Sequence, residues 1–254
     1  MIVSLILAAG AFIVEPAGRQ VEFLGNTRDE TTRRRIAGSI AEFQRGESSE
    51  ARSYLAKSAC FSGRTGDPTF HAASVLFVRE ENGHSDLLGR FMEEAGIPRI
   101  EGSWGDHIFR WLRSMGDIGW ASRVLIIAEL IAQEYYPCLR ACTRHPALVR
   151  ICDKIIHDEE AHIRFQIERI VRVEAAVGRF GTWLRDWLQI VLMCGAAVVV
   201  YAGHRHVLGS RLNAWTFPVR SLARLRLALQ AMAVLRDGRA TLHPDGVVRL
   251  SLER

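Results

Sequence analysis

Apolar residues recur at steps of three and four through most of the stretch from residue 30 to 175, the period of helices with one buried face. Asn26, Thr27 and Asp29 offer capping side chains for a first helix. Ile36, Ile40, Phe43, Glu47, Glu50 and Tyr54 continue that helix on one face, with acids in its middle. The stretch from Gly63 to Pro68 breaks the chain. A second helix sets Phe77, Glu81, His84, Leu88 and Phe91 on one face and ends at Gly96-Ile97-Pro98. Residues 99–117, with Trp104 and Trp111, read as a long link carrying a short helix across one end of a bundle. The third helix runs from about Trp120 to Cys142, with Ala128, Glu129, Ala132, Tyr136 and Leu139 inward. Pro137 should kink it or end it early. The fourth carries Ile151, Ile155, Glu159, His162 and Gln166.

After Gly178 the pattern changes. Trp187 to Gly203 is almost wholly apolar, with Gln189 its one strongly polar side chain. It reads as a fully buried fifth helix in preference to a membrane span, for which it sits at the lower length limit of about 17 residues. Ser221 to Leu235 sets arginines among Leu, Ala and Met as an amphipathic helix. Ala240 to Leu252 reads as a small hairpin turning at Pro244-Asp245-Gly246. Met1 to Val14 is apolar, but no Lys or Arg precedes it, so a packed segment is preferred to a signal or anchor. The segments are thus residues 1–27, a helical bundle over 28–177, and an apolar helix with an arginine-rich tail over 178–254.

Acids on apolar faces are what composition alone leaves unexplained. Val78-Arg79-Glu80-Glu81-Asn82-Gly83-His84 and Ile156-His157-Asp158-Glu159-Glu160-Ala161-His162 share one pattern: apolar, polar, acid, Glu, polar, small, His. Each contains Glu-x-x-His, and residues three apart on a helix lie about 60° apart around the axis, so both side chains reach one point. A carboxylate and an imidazole so placed chelate iron, manganese or zinc. Glu47 precedes Tyr54 by seven residues and Glu129 precedes Tyr136 by seven, each some thirty residues before a Glu-x-x-His. The order is Glu, Glu-x-x-His, Glu, Glu-x-x-His. Glu47, Glu81, Glu129 and Glu159 bring four negative charges, with His84 and His162 neutral. Two divalent cations balance them and one does not. Glu80 and Glu160 read as solvent-facing or as partners of a ligand, and His157 and Asp158 as lying off the metal face.

This pattern resembles the ferritin-like di-iron carboxylate superfamily over roughly residues 30 to 175. Gly46-Glu47-Ser48 followed by Tyr54 is similar to the first-helix motif of rubrerythrins. The resemblance implies an all-α fold: a ferritin-like four-helix bundle with extra C-terminal helices and the small hairpin. It implies two iron ions, with manganese as the substitute, on Glu47, Glu81, His84, Glu129, Glu159 and His162. Glu50 and Glu134 are the substitutes for Glu47 and Glu129, and Tyr54 and Tyr136 are candidate hydrogen-bond partners of a ligand. The activity implied is an oxidoreductase that activates dioxygen to oxidise or hydroxylate an organic, apolar substrate. The alternatives are a ferroxidase that handles iron, or a non-catalytic ferritin-like domain.

The remaining numbers narrow this reading. The chain has 254 residues and five cysteines, with no Cys-x-x-Cys pair. That excludes a disulfide framework, a zinc knuckle and a rubredoxin-like electron carrier, so the thiols read as reduced and buried and electrons must come from an external donor. The net charge of +5 is carried by arginine, since Lys57 and Lys154 are the only lysines. No nucleic-acid partner is expected. A cytoplasmic protein follows, with membrane contact through residues 187–203 and a homodimer as its candidate associations.

Overall fold

Capping residues and glycines set where each helix starts and stops. The computed structural model describes residues 27–48, 51–238, 240–242 and 248–250. Helix α1 is Thr27–Glu47, α2 Arg52–Thr65, α3 Pro68–Glu94 and α4 Trp104–Ser114. Helices α5 (Ile118–Cys142), α6 (Pro146–Val173), α7 (Arg179–Leu208) and α8 (Thr216–Arg236) follow. Strands β1 (Ala240–Leu242) and β2 (Val248–Leu250) pair antiparallel with Thr241 opposite Arg249. The fold is all-α apart from this hairpin, whose connecting residues lie outside those described.

Gly66 takes a left-handed φ of 67° to close α2, and the Asp67 carboxylate caps α3 by accepting from the Thr69 amide, with Pro68 at the first helical position. Gly96, at φ 63°, ends α3, and Ile97 N–H returns to the Met92 carbonyl at 2.8 Å. Ser103 and Asp117 cap α4 and α5 in the same way as Asp67.

Three expectations need correction here. The first helix does not run through Tyr54: it ends at Glu47, and Tyr54 lies on α2. Gly46 weakens the last turn, and the Ser48 hydroxyl caps it by donating to the Arg45 carbonyl at 2.9 Å. Glu50 lies outside the described residues. Pro137 does not end α5, which continues to Cys142. One missing backbone hydrogen bond is outweighed by the burial of almost every residue from Ile118 to Leu139. The thiols are all free, but Cys60 and Cys194 are exposed, so only part of the buried-thiol expectation stands.

Helix α5 packs most extensively on α6, α1 packs on α3, and α3 meets α6. Helices α7 and α8 pack on each other and on α5, while α8 also lies against α6 and α7 against α1. One apolar cluster joins α1, α3, α5, α6, α7 and α8. A smaller one, with Tyr54, Phe61, Phe70, Phe77 and Phe165, joins α2, α3, α5 and α6. A buried clamp ties the later helices to the rest. Arg123 of α5 grips Glu174 with two bonds of 2.7 Å and also donates to Gln189 and Asp186 of α7, while Arg236 of α8 reaches Glu174 at 3.0 Å.

The fifth helix is the larger departure. It is longer than expected and far from fully buried. Phe180, Trp183, Trp187 and Val198 face outward, and only a stripe through Gln189, Met193, Ala197 and His204 meets the bundle.

Candidate metal centre

Each candidate ligand sits where a packed helix carries it inward. Glu47 is the last residue of α1. Glu81 and His84 lie mid-α3, Glu129 mid-α5, and Glu159 and His162 mid-α6. The helices are pinned close to these positions. Gln44, one turn before Glu47, donates to the Ser85 hydroxyl at 2.8 Å, and Ser85 donates to the Gln44 carbonyl at 3.1 Å. Gln133, one turn past Glu129, donates to the Ile156 carbonyl at 2.7 Å.

The six side chains converge. Glu81, His84, Glu159 and His162 each offer an atom within 4.8 Å of the others. His84 Nδ1 lies 3.8 Å from Glu47, 4.0 Å from Glu81 and 3.7 Å from Glu159. His162 Nδ1 lies 2.8 Å from Glu81 and 3.5 Å from Glu159. Glu129 joins them as a buried carboxyl that feels the charges of Glu159 and Glu81 beside it. Tyr136 donates to Glu47 Oε1 at 2.5 Å, so of the two tyrosines it is the one that holds a candidate ligand. The Tyr54 phenol is buried near Glu129, Arg169, Gln166 and Ser122 and makes no bond to a ligand.

The outer nitrogens of the two imidazoles are held by a reciprocal pair of bonds. His84 Nε2 on α3 donates to Asp158 on α6 at 2.9 Å, and His162 Nε2 on α6 donates to Glu80 on α3 at 3.0 Å. An ionised carboxylate only accepts, so each pair places a proton on Nε2 and turns Nδ1 inward as the free donor of a ligating tautomer. Lys154 steadies Asp158 at 2.5 Å. Asp158 therefore does not lie off the metal face, as its sequence position suggests, but stands directly behind a ligand. A signal for this is present in the sequence: Glu80 and Asp158 occupy the same position of the matching heptapeptides. Glu134, in contrast, is no substitute ligand. It is buried against α8, where Arg220 holds it at 2.6 Å and Arg224 closer still. Glu160 is exposed.

Electrostatics make this arrangement costly without a cation. Burial, then the charges of Glu47 and Glu159, push Glu81 up to about 7. Burial and the neighbouring Glu159 and Glu81 raise Glu129. Burial opposes charge on His84, but Asp158 and Glu47 outweigh it and hold the imidazole at about 10. His162 is raised likewise by Glu159, Glu80 and Glu81 against its burial. Among the buried side-chain atoms with no hydrogen-bond partner are Glu81 Oε1, both Glu159 oxygens, and Nδ1 of His84 and of His162. These are the atoms that face one another across the cluster. Buried polar atoms are almost always satisfied, so a set of orphans made only of oxygen and imidazole donors fits a metal ion. The buried Glu81, His84, Glu159 and His162 group can hold one.

Compared with protein-family models, with curated proteins and with solved structures, the chain matches none of them. The reading of this centre therefore rests on its residues alone.

Proposed function

We propose that the chain is a di-metal carboxylate oxidoreductase of ferritin-like four-helix architecture, built from α1, α3, α5 and α6. In this reading two iron ions, with manganese as the substitute, are held by Glu47, Glu81, His84, Glu129, Glu159 and His162. The observation that carries it is the set of orphaned donor atoms meeting from facing helices, with both imidazoles fixed from behind. Charge supports two ions: four buried carboxylates need four positive charges, and uncompensated buried charge costs several kcal/mol per group.

Iron held by these residues would supply the redox chemistry for activating dioxygen to oxidise or hydroxylate an apolar organic substrate. The protein's own contributions follow from the contacts. Glu80 and Asp158 keep the protons on the outer imidazole nitrogens. Tyr136 fixes the rotamer of Glu47 and can hold a proton at its phenolic oxygen. Phe77, edge-on to His162 at 4.9 Å, and the aromatic cluster behind it exclude water from that side. No thiolate lies in the donor set and no cysteine pair serves as an electron relay, so reducing equivalents come from a separate donor.

The test is metal content per chain beside a Glu81→Ala, His162→Ala double variant. Two iron or manganese ions per chain, lost in the variant, are expected, followed by oxygen uptake that rises with apolar substrates under reducing conditions. Wild-type protein that takes up no iron anaerobically refutes the reading. Oxygen uptake tied only to ferrous oxidation turns it toward iron handling.

A further inference from the structure

Two helices of this fold turn an apolar face outward and set polar side chains inward. In α7 every exposed position from 180 to 203 is Phe, Trp, Leu, Ile, Val, Cys, Ala or Gly. Those positions step by three and four, so they form one stripe, and at about 1.5 Å per residue it runs about 35 Å. The opposite stripe holds the polar groups. Gln189 donates to the Arg123 carbonyl at 3.2 Å, Asp186 accepts from Arg123 at 2.8 Å, and His204 Nδ1 lies 2.9 Å from the Ser39 hydroxyl. Helix α4 repeats the inversion. Asp106 and Arg113 are buried, while Trp104, Ile108, Trp111 and Met115 face out. The two patches adjoin, since Arg185 of α7 pairs with Asp117, two residues past Met115.

We propose that the outward faces of α4 and α7 dock this protein, in the membrane plane, on a bilayer containing anionic lipid. Three observations select lipid as the occupant. Five of the six tryptophans are exposed or lie on these helices and the following turn, with Trp183 60%, Trp111 60% and Trp215 78% accessible. Tryptophan is the side chain that gains most at the boundary between headgroups and acyl chains. Arg179 and Arg205 are both exposed and bracket the α7 stripe in phase with it, placed for their stems to run along the apolar face and their heads to reach phosphate. From residue 205 to 254 the chain has nine arginines against Asp237, Asp245 and Glu253, a net +6 (9 − 3), only part of which is offset in the fold, by Glu134 on Arg220 and Arg224 and by Glu174 on Arg236. Anionic headgroups neutralise that charge, whereas a second copy would double it.

The same contacts set the orientation. The window from α7 that is long and apolar enough to cross a membrane is only 22% buried, yet the helix is tied along its length to α1, α5 and α8. Crossing the bilayer would draw those helices in with it, with the ionised cluster of Glu30, Arg33 and Arg34. A helix held in this way lies in the interface. On the function proposed above, docking also sets α4 against an apolar phase. The docking itself does not depend on that function.

The test is flotation of the full-length protein with phosphatidylcholine vesicles, with and without phosphatidylglycerol, beside a Trp187→Glu, Val198→Glu variant. Both positions are exposed, so the variant should keep its helix content and metal uptake. Wild type is expected to float with the phosphatidylglycerol vesicles and to be released by salt, with its tryptophan emission shifted to the blue. The variant should partition at least about tenfold less, given the cost of charge in the apolar layer. Equal binding by the variant overturns the proposal. So does a salt-stable dimer that ignores vesicles, which gives the face to a second copy. A monomer that ignores vesicles also overturns it.

Discussion

At the scale of single residues, the centre depends on two acids that touch no metal-facing atom. Glu80 and Asp158 each hold the imidazole of the opposite helix, so each Glu-x-x-His helix orients the histidine of the other. Carboxylates behind a ligating histidine typically change metal affinity by about 10- to 100-fold when removed. Asp158→Ala is expected to weaken Mn²⁺ binding toward the upper end of that range. Asp158→Asn, which keeps a polar group near Nε2 but not the charge, should lose less. Competition with a chelator reads both constants, and unchanged affinity in both variants would rule out the orienting role. The cluster of Glu81, His84, Glu159 and His162 is legible in the sequence because a heptapeptide with buried acids rarely occurs twice, by chance, inside apolar helices. Asp158 is not, because a helical wheel shows which residues share a face but not which lie across from a neighbouring helix. Glu134 misled for a similar reason: it lies on a buried face of α5, but that face meets α8 and two of its arginines.

At the scale of elements, spacing located α3, α5 and α6 closely, since each carries a long periodic face and a clear cap or proline at its start. The break after Glu47 escaped because Ile36, Ile40, Phe43, Glu47 and Tyr54 keep helical phase across it, and periodicity does not register an interruption that preserves phase. The orientation of α7 escaped because a helix apolar on nearly all sides gives no direction to its wheel. Its inner side is instead marked by a local irregularity at His204, where φ is −115° and ψ 16°. His204 packs on Phe43 and Tyr135, lies 2.9 Å from Ser39 and 3.7 Å from Glu42, and burial depresses it to about 4. An unfolded histidine titrates near 6.5, so above that pH the group is neutral in both states and contributes nothing to pH dependence. As pH falls from 6.5 toward 4 the unfolded chain binds the proton first, and stability is lost by about 3 kcal/mol at most. Urea midpoints measured across that window should fall more steeply for wild type than for His204→Gln. Parallel curves would show that the kink relaxes to let the imidazole charge.

At the scale of the whole molecule, two features oppose ordinary stability. Four carboxylates are gathered between the apolar clusters, and a long apolar face is turned outward. On the metal centre proposed above, the first would make folding and metal binding one equilibrium, because a cation that binds only the native arrangement stabilises it by mass action. Mn²⁺ is the suitable probe, since it takes the same oxygen and imidazole donors as iron and avoids rapid oxidation in air. At a free concentration near a hundred times its dissociation constant it should add about 2.7 kcal/mol. For a chain of this size each kcal/mol shifts the thermal midpoint by about 2–4 °C, so a rise of roughly 5–11 °C is expected. The shift should grow with the logarithm of Mn²⁺ concentration and should be absent in the Glu81→Ala, His162→Ala variant. That variant also removes two members of the crowded cluster, so its metal-free midpoint need not fall below that of wild type. This contrast separates a metal centre from a structural polar network. In a structural network, deleting Glu81 and His162 would lower the midpoint, and Mn²⁺ would move neither protein.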